Sequence, residues 1–322
     1  MSVIEPQFRD LNTAATSHRG DRIFNHTITT LAFTALVVLA GITIFLGAQA
    51  VPVLQELGPS YLTTTSWDLT VDPPTAGIFG MLYGSVLLAV IGLVIAVPAA
   101  LLLAVFMVFM APPKVAKVLT SLVDLMAAIP SVIIGLWAFY VLTGPAVEWQ
   151  QLLHEYLGWI PIFRNESGNF LGTPFIAGFV LAIMMIPIIT SISREVLSHT
   201  PPELINASEA LGCSMWTMLR YVALPYGRGG IVGGIMLGLG RAMGETIAIF
   251  FVLKLVFQVN WYEIIESGGG SVASLIVSKF GEANAGFETQ LLLAAGFFLF
   301  VLTLIINVIA NLIVARTGRL QR

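Results

Sequence analysis

The chain has 322 residues, 57% of them hydrophobic and only 10% charged, with a formal net charge of −3. A soluble globular domain carries about 25% charged residues, so this composition excludes an ordinary soluble domain and points to a chain that crosses a bilayer several times. The single cysteine, Cys213, excludes an internal disulfide and a multi-thiolate metal site.

Residues 1–27 form a polar tail with Glu5 and Asp10, and the first apolar run begins only near residue 28. A cleavable signal peptide needs an apolar run nearer the start, so the first span is expected to stay in the protein. A bilayer core of about 30 Å needs roughly 20 apolar helical residues. Six segments reach that length: 28–50, 79–110, 117–142, 174–193, 229–257 and 289–315. The predicted fold is an all-α membrane protein of six transmembrane helices. Residues 28–78 form the first helix and its outer loop, 79–315 a five-helix core, and 316–322 a short tail. Pro98 falls inside the second span, and Pro130 is expected to kink the third and free a carbonyl there.

Lysine and arginine in the loops set the orientation. Arg9, Arg19, Arg22, Lys114, Lys117, Arg194, Arg220, Arg228, Arg316, Arg319 and Arg322 all fall on one side if the spans alternate, whereas only Arg164 and Lys279 fall on the other. Both termini are therefore expected in the cytoplasm. The outer loops are acidic: Glu56, Asp68 and Asp72 in the first, Glu148, Glu155 and Glu166 in the second, Glu263, Glu266, Glu282 and Glu288 in the third. Trp67, Trp149, Trp159 and Trp261 are placed in these loops, where they can form an interfacial belt or pack locally.

Much chemistry is missing. None of the four lysines follows glycine or precedes Ser or Thr, so the chain has no P-loop of its own. His18, His26, His154 and His199 form no metal-ligand pair, and no GxSxG occurs. No basic patch supports nucleic-acid binding. No cofactor or metal is expected.

The inner loop 194–228 differs from the rest. Thr200-Pro201-Pro202 breaks the chain, Glu203 opens a short helix, and Leu204, Ala207, Ala210 and Leu211 recur along it before Gly212. A second amphipathic stretch runs from Ser214 to Leu224, with Trp216, Leu219 and Val222 or Ala223 toward one face, and Pro225 is expected to end it. Two short helices joined by glycine suit a docking knob for a soluble partner; packing on the chain's own bundle is the alternative.

The spacing from 206 to 225 resembles the EAA loop of ABC-importer permeases. Asn206, Ala207 and Ser208 stand in the Glu-Ala-Ala places, Gly212 in the glycine place, Val222 in the isoleucine place, and Leu224-Pro225 at the end. Asn206 for glutamate and Ser208 for the second alanine are departures, the first removing a charge available to the ATPase. The stretches MIPIITSISREV, GIMLGLGRAMGETIAI and AAIPSVIIGLWAFYVL are similar to permeases of the phosphate-specific transport system, PstC type, over most of the chain from about residue 79. The resemblance implies a type I ABC-importer core plus one extra N-terminal helix, in a bacterial inner membrane. It implies a homologous second permease, two ATP-binding subunits that dock on the loop, an extracytoplasmic phosphate-binding protein, and phosphate as cargo. The sister permease, a permease for sulfate or molybdate, and a proton-coupled secondary transporter are the rivals; an intramembrane enzyme lacks its motifs.

Within the fifth segment, Arg241 and Glu245 stand four apart, with Thr246 beside them. On one helix they share a face and can pair. Gly230, Gly234 and Gly238, then Gly240 and Gly244, allow close approach of a helix or ligand. The pair reads either as a buried salt bridge that sets helix register or, with the resemblance, as a polar patch on the translocation path. An arginine fork matches phosphate oxygens. Ser131 and Asp124 are weaker candidates, and Lys254 can snorkel.

Overall fold

The computed structural model describes residues 19–71 and 74–318. Arg9, Arg319, Arg322 and Asp72, which entered the loop-charge argument, lie outside the described residues. The chain divides into two compact units, one up to Ala48 and one from Gln49 onward. The described part of the first unit is helical. Helix α1 (Arg19–Glu56) exposes Leu31, Phe33, Leu36, Ile42 and Ile44 around its circumference, as an apolar helix dissolved in lipid does. Thr27, Thr34 and Thr43 donate to carbonyls four residues back at 2.8 Å, so their hydroxyls are satisfied within the helix.

Among the described residues six helical segments are long and apolar enough to cross a membrane: Ile23–Glu56, Phe79–Met110, Ser131–Leu157, Pro174–Ser198, Met215–Met243 and Phe287–Ala310. The second unit is built on three of them. Helix α3 (Phe79–Val105, extended by a π-helical turn to Met110), helix α7 (Pro174–Ser198) and helix α10 (Leu224–Met243) pack together. Contact is close because small residues allow it: a Cβ added to Gly178 of α7 would stand 2.4 Å from Ile91 of α3. The core between them is Leu88, Ala96, Ala100, Val180, Leu181, Met185 and Ile189.

The third span departs from the expected 117–142. Helix α4 (Pro113–Ala128) stops, and Ile129 is extended at φ −65°, ψ 127°. The ring of Pro130 disfavours helical geometry in the residue before it, so the chain breaks where a kink was expected. It restarts as α5 (Ser131–Trp137) and runs through a π turn into α6 (Thr143–Leu157). Residues 143–157, with Glu148 and Glu155, are expected in a loop but form this helix, so Trp149 lies on α6 with its ring centroid 5.7 Å from that of Phe179. Buried Gln150 is satisfied: its amide donates to the carbonyls of Ala146 and Phe170, and its oxygen accepts from Thr173 at 2.7 Å. Thr173 in turn caps α7 through the Ile176 N–H.

A cap covers one end of the core. The last turns of α1, the short α2 (Ser60–Thr63), the two-residue strands β1 (Trp67–Asp68) and β2 (Thr75–Ala76), α12 (Val272–Phe280) and the start of α13 (Phe287–Gly318) enclose Val53, Tyr61, Ile78, Met81, Leu275 and Leu291. β1 and β2 pair antiparallel, Trp67 with Ala76 and Asp68 with Thr75. The Tyr61 hydroxyl donates to the Leu291 carbonyl at 2.6 Å. Beside this cap, loops 158–173 and 253–271 are knitted together. Asn165 donates to the Ile265 carbonyl at 2.7 Å, the Lys254 and Gly268 amides both donate to the Gly172 carbonyl, and the Glu266 carboxylate accepts from the Glu166 and Ser167 amides.

The carboxyl of Glu263 is held above its ordinary range, first by burial, then by the charges of Glu166 and Glu266, with Arg164 offsetting part. A carboxyl raised in the folded state stabilises below its unfolded pKa, and that contribution is lost as pH rises through the folded value. Loops 158–173 and 253–271 are therefore expected to loosen as pH climbs through and just above the ordinary carboxylate range. Glu263→Gln is expected to flatten that dependence, read as hydrogen exchange of residues 253–271 corrected for intrinsic rate; an unchanged profile rules Glu263 out as its source.

Candidate functional site

The fifth span is broken where its charges lie. The expected continuous helix over 229–257 ends at Met243; Gly244 closes α10, and a separate short helix α11 (Ile247–Val252) follows. Glu245 is 8% exposed, and its Oε1 accepts from the Ala248 N–H at 3.3 Å. The carboxylate thus satisfies a donor that the first turn of α11 would otherwise leave without a partner. The Thr246 hydroxyl donates back to the Gly244 carbonyl at 3.2 Å. Arg241, on the last turn of α10, is exposed, and no ion pair between it and Glu245 occurs among the described residues. The expected pairing required one unbroken helix through both residues. The break turns Glu245 inward as a cap and leaves Arg241 outside.

The two halves of the span have different neighbours. Added Cβ atoms at Gly230, Gly234 and Gly238 would stand 2.2, 3.1 and 3.0 Å from Val196, Ile192 and Ile189, so this glycine row holds α10 against α7. Gly229, Gly233 and Gly240 have nothing within 4 Å of such a Cβ, and with exposed Leu237 they form an open face beside Arg241. Gly244 belongs to neither row: only its own helix's backbone is near, and its place is the end of α10. Helix α11 packs instead on α5, where a Cβ at Gly135 would stand 2.7 Å from Ala248 Cα. The open glycine face was not separated from the packed one by spacing, since both repeat at short intervals. Ser131 opens α5, Asp124 is exposed on α4, and Lys254 is exposed where α11 gives way to loop 253–271.

Loop 194–228 holds two helices joined at Gly212. Helix α8 (Pro202–Ala210) ends at Leu211, and Gly212 adopts φ +74°, with the Cys213 N–H donating back to the Ser208 carbonyl at 3.1 Å. Only glycine takes that conformation without strain. Helix α9 (Met215–Met218) starts with the Ser214 hydroxyl accepting from the Thr217 N–H. Pro225 does not end the second stretch. A π turn over Leu219–Ala223 places the Leu224 N–H on the Leu219 carbonyl, and the chain continues into α10 without interruption. Near the start of α10 the missing N–H of Pro225 costs little.

The faces of this loop differ from the periodicity. Ile205 and Ser208 turn inward, Ser208 donating to the Ile205 carbonyl at 2.7 Å, while Leu204, Asn206, Ala207 and Leu211 turn out. Leu211 is 84% exposed and Trp216 65%. Trp216 therefore does not share a face with Leu219, which is buried with Met218, Ala223 and Leu197. Val222, Leu224 and Pro225 are half-buried behind the outward surface.

Comparison with known proteins places this architecture. Residues 96–319 match the family described as binding-protein-dependent transport system inner membrane component. The chain is 38% identical over 300 residues to phosphate transport system permease protein PstC 2 of Mycobacterium tuberculosis (strain ATCC 25618 / H37Rv), covering 92% of each. It is 35% identical over 323 residues to phosphate transport system permease protein PstC of Xylella fastidiosa (strain 9a5c), covering 98% of this chain and 95% of that one. Among solved structures, a chain of a bacterial alginate ABC transporter in complex with its alginate-bound periplasmic protein has the same fold, with a TM-score of 0.61 at 17% identity over 92% of this chain and 96% of that chain. The chain therefore belongs to the binding-protein-dependent inner membrane components, the membrane permease subunits of ABC importers, which work with a separate ATP-hydrolysing subunit and a substrate-binding protein.

Proposed function

We propose that this chain is the permease subunit of an ATP-driven importer of inorganic phosphate. It sits in a bacterial inner membrane with both termini in the cytoplasm, beside a homologous second permease. Of two ATP-binding subunits in the complex, one docks on loop 194–228, and an extracytoplasmic binding protein delivers phosphate to the acidic outer loops. The observation that carries the site assignment is Arg241: an exposed arginine without an ion-pair partner among the described residues, on the open glycine face of a broken span. A charged group in a membrane helix is retained for a pathway or a partner, and the guanidinium fork fits phosphate oxygens. The names of the relatives support the same substrate.

The mechanism follows from continuity. Leu204, Leu211 and Trp216 offer an apolar, outward surface with Asn206 and Ala207 between them for the groove of an ATP-binding subunit. From Met215 to Met243 the chain is one helical rod, about 43 Å long at 1.5 Å per residue. Movement of the docked loop is carried along this rod to Arg241, and the break at Gly244–Thr246 lets α10 shift while α11 stays on α5. Alternating access opens the arginine first to one side, then to the other.

Labelled phosphate uptake at low external phosphate, in cells lacking their own permease but keeping the partner subunits, tests the reading. Restored uptake that resists proton ionophores and competing sulfate or molybdate is expected. Uptake abolished by ionophore favours the proton-coupled rival, and restored transport of another oxyanion alone overturns phosphate as substrate. In the same cells Leu211→Asp is expected to lower co-purification of the ATP-binding subunit roughly tenfold, about 1.4 kcal/mol, with the permease itself at parental abundance. Undiminished co-purification removes Leu211 from the contact.

A further inference from the structure

The end of the second unit that carries α8 also holds an open polar cleft of about 380 Å³ that the roles above do not use. Met107 beyond α3 contributes an apolar wall, Lys117 and Thr120 line it from α4, and Arg194, Glu195 and Ser198 from the last turns of α7. The Arg194 Nη1 donates to the Thr120 hydroxyl at 2.6 Å, and that hydroxyl donates to the Ala116 carbonyl at 2.9 Å. The guanidinium is thus anchored by one nitrogen, which leaves most of its N–H donors for another acceptor. Lys117 has no acidic partner among the described residues. Glu195, the acid on the wall, has its Oε1 3.8 Å from the His199 imidazole.

Two cations on different helices, with an apolar wall behind them, have the chemistry that holds a phosphate group. We propose that this cleft binds a phosphate group at the inner membrane surface, carried by an anionic phospholipid or as free inorganic phosphate, with Lys117 and Arg194 as its ligands. Such a group ties α4 to α7 at the end where the coupling loop begins. The inference rests on the orientation proposed above but not on the transported substrate.

The test uses the intact complex in nanodiscs with Lys117→Gln as the deciding variant, because Arg194→Gln also removes the Thr120 bond. In mixed phosphatidylglycerol–phosphatidylcholine nanodiscs, native mass spectrometry reads lipid retained after extraction. In pure phosphatidylcholine nanodiscs, labelled orthophosphate binding is read in an Arg241→Gln background, which removes the path site. Phosphatidylglycerol retention that falls roughly tenfold in Lys117→Gln identifies the lipid headgroup; saturable orthophosphate binding that falls likewise identifies the free anion. If neither ligand is held, or Lys117→Gln changes neither, the proposal is overturned. Should the parent fail to transport phosphate while lipid retention still depends on Lys117, the transport reading fails and the cleft assignment stands.

Discussion

Arg241→Gln is expected to lower phosphate uptake about 10- to 100-fold at unchanged membrane abundance. The magnitude is that of one lost hydrogen bond to a charged group, about 1.5–3 kcal/mol, with every 1.4 kcal/mol worth tenfold. Unchanged abundance follows from the structure: Arg241 is exposed and holds no ion pair among the described residues, so its removal leaves no buried charge behind. Arg241→Lys keeps the charge but loses the fork and is expected to fall between the two. Glu245 contrasts with it. Glu245→Gln keeps an oxygen able to accept from the Ala248 N–H, so the cap and the break should survive, whereas Glu245→Ala should cost about 1 kcal/mol of stability through the lost cap. Full uptake by Arg241→Gln at parental abundance removes Arg241 from the path and leaves family membership untouched.

Gly84→Ala is expected to give the largest loss of stability among single-methyl additions in the second unit. The new Cβ would stand 1.9 Å from the Gly270 carbonyl oxygen, and that backbone has little freedom to move away. On one side the Val256 N–H donates to the Gly269 carbonyl at 2.8 Å; on the other the Val272 N–H donates to the Ser85 hydroxyl at 3.1 Å, and Ser271 and Ser274 cap α12 reciprocally. Replacing glycine by alanine inside a helix gains up to about 1 kcal/mol, while overpacking costs about 1–3 kcal/mol or more. The steric effect prevails because both contacting groups are backbone. Gly144→Ala is the control: it lies in α6 with nothing within 4 Å of the added carbon, so it should keep or gain stability. Thermal unfolding and membrane abundance of the two variants decide it; a Gly84→Ala protein as stable as Gly144→Ala would mean that loop 253–271 does not press on α3.

How much of this was legible beforehand depends on the kind of signal. The six apolar segments, their approximate order and the Gly212 turn follow from composition, length and conformational preference, which are local quantities. The EAA-like register and the family follow from the order of residues along the chain. The span boundaries were less legible. In 143–157, Gln150 looks like loop chemistry until Thr173 and the Phe170 carbonyl are beside it. Pro225 looks like a stop until the π turn before it carries the helix on.

The charged pair shows the same division most sharply. Residue order alone establishes that an arginine, a glutamate and a run of glycines share one apolar segment, because hydropathy and spacing are written in the chain. Which glycines face α7 and which face open space depends on where Val196, Ile192 and Ile189 come to lie. Whether Arg241 and Glu245 pair depends on a helix end between them, and α11, seated on α5 through Gly135, offers Glu245 a backbone donor in place of the arginine. The outward turn of Leu204 and Leu211 has the same origin: an amphipathic pattern defines two faces, and the position of the bundle selects which one is covered.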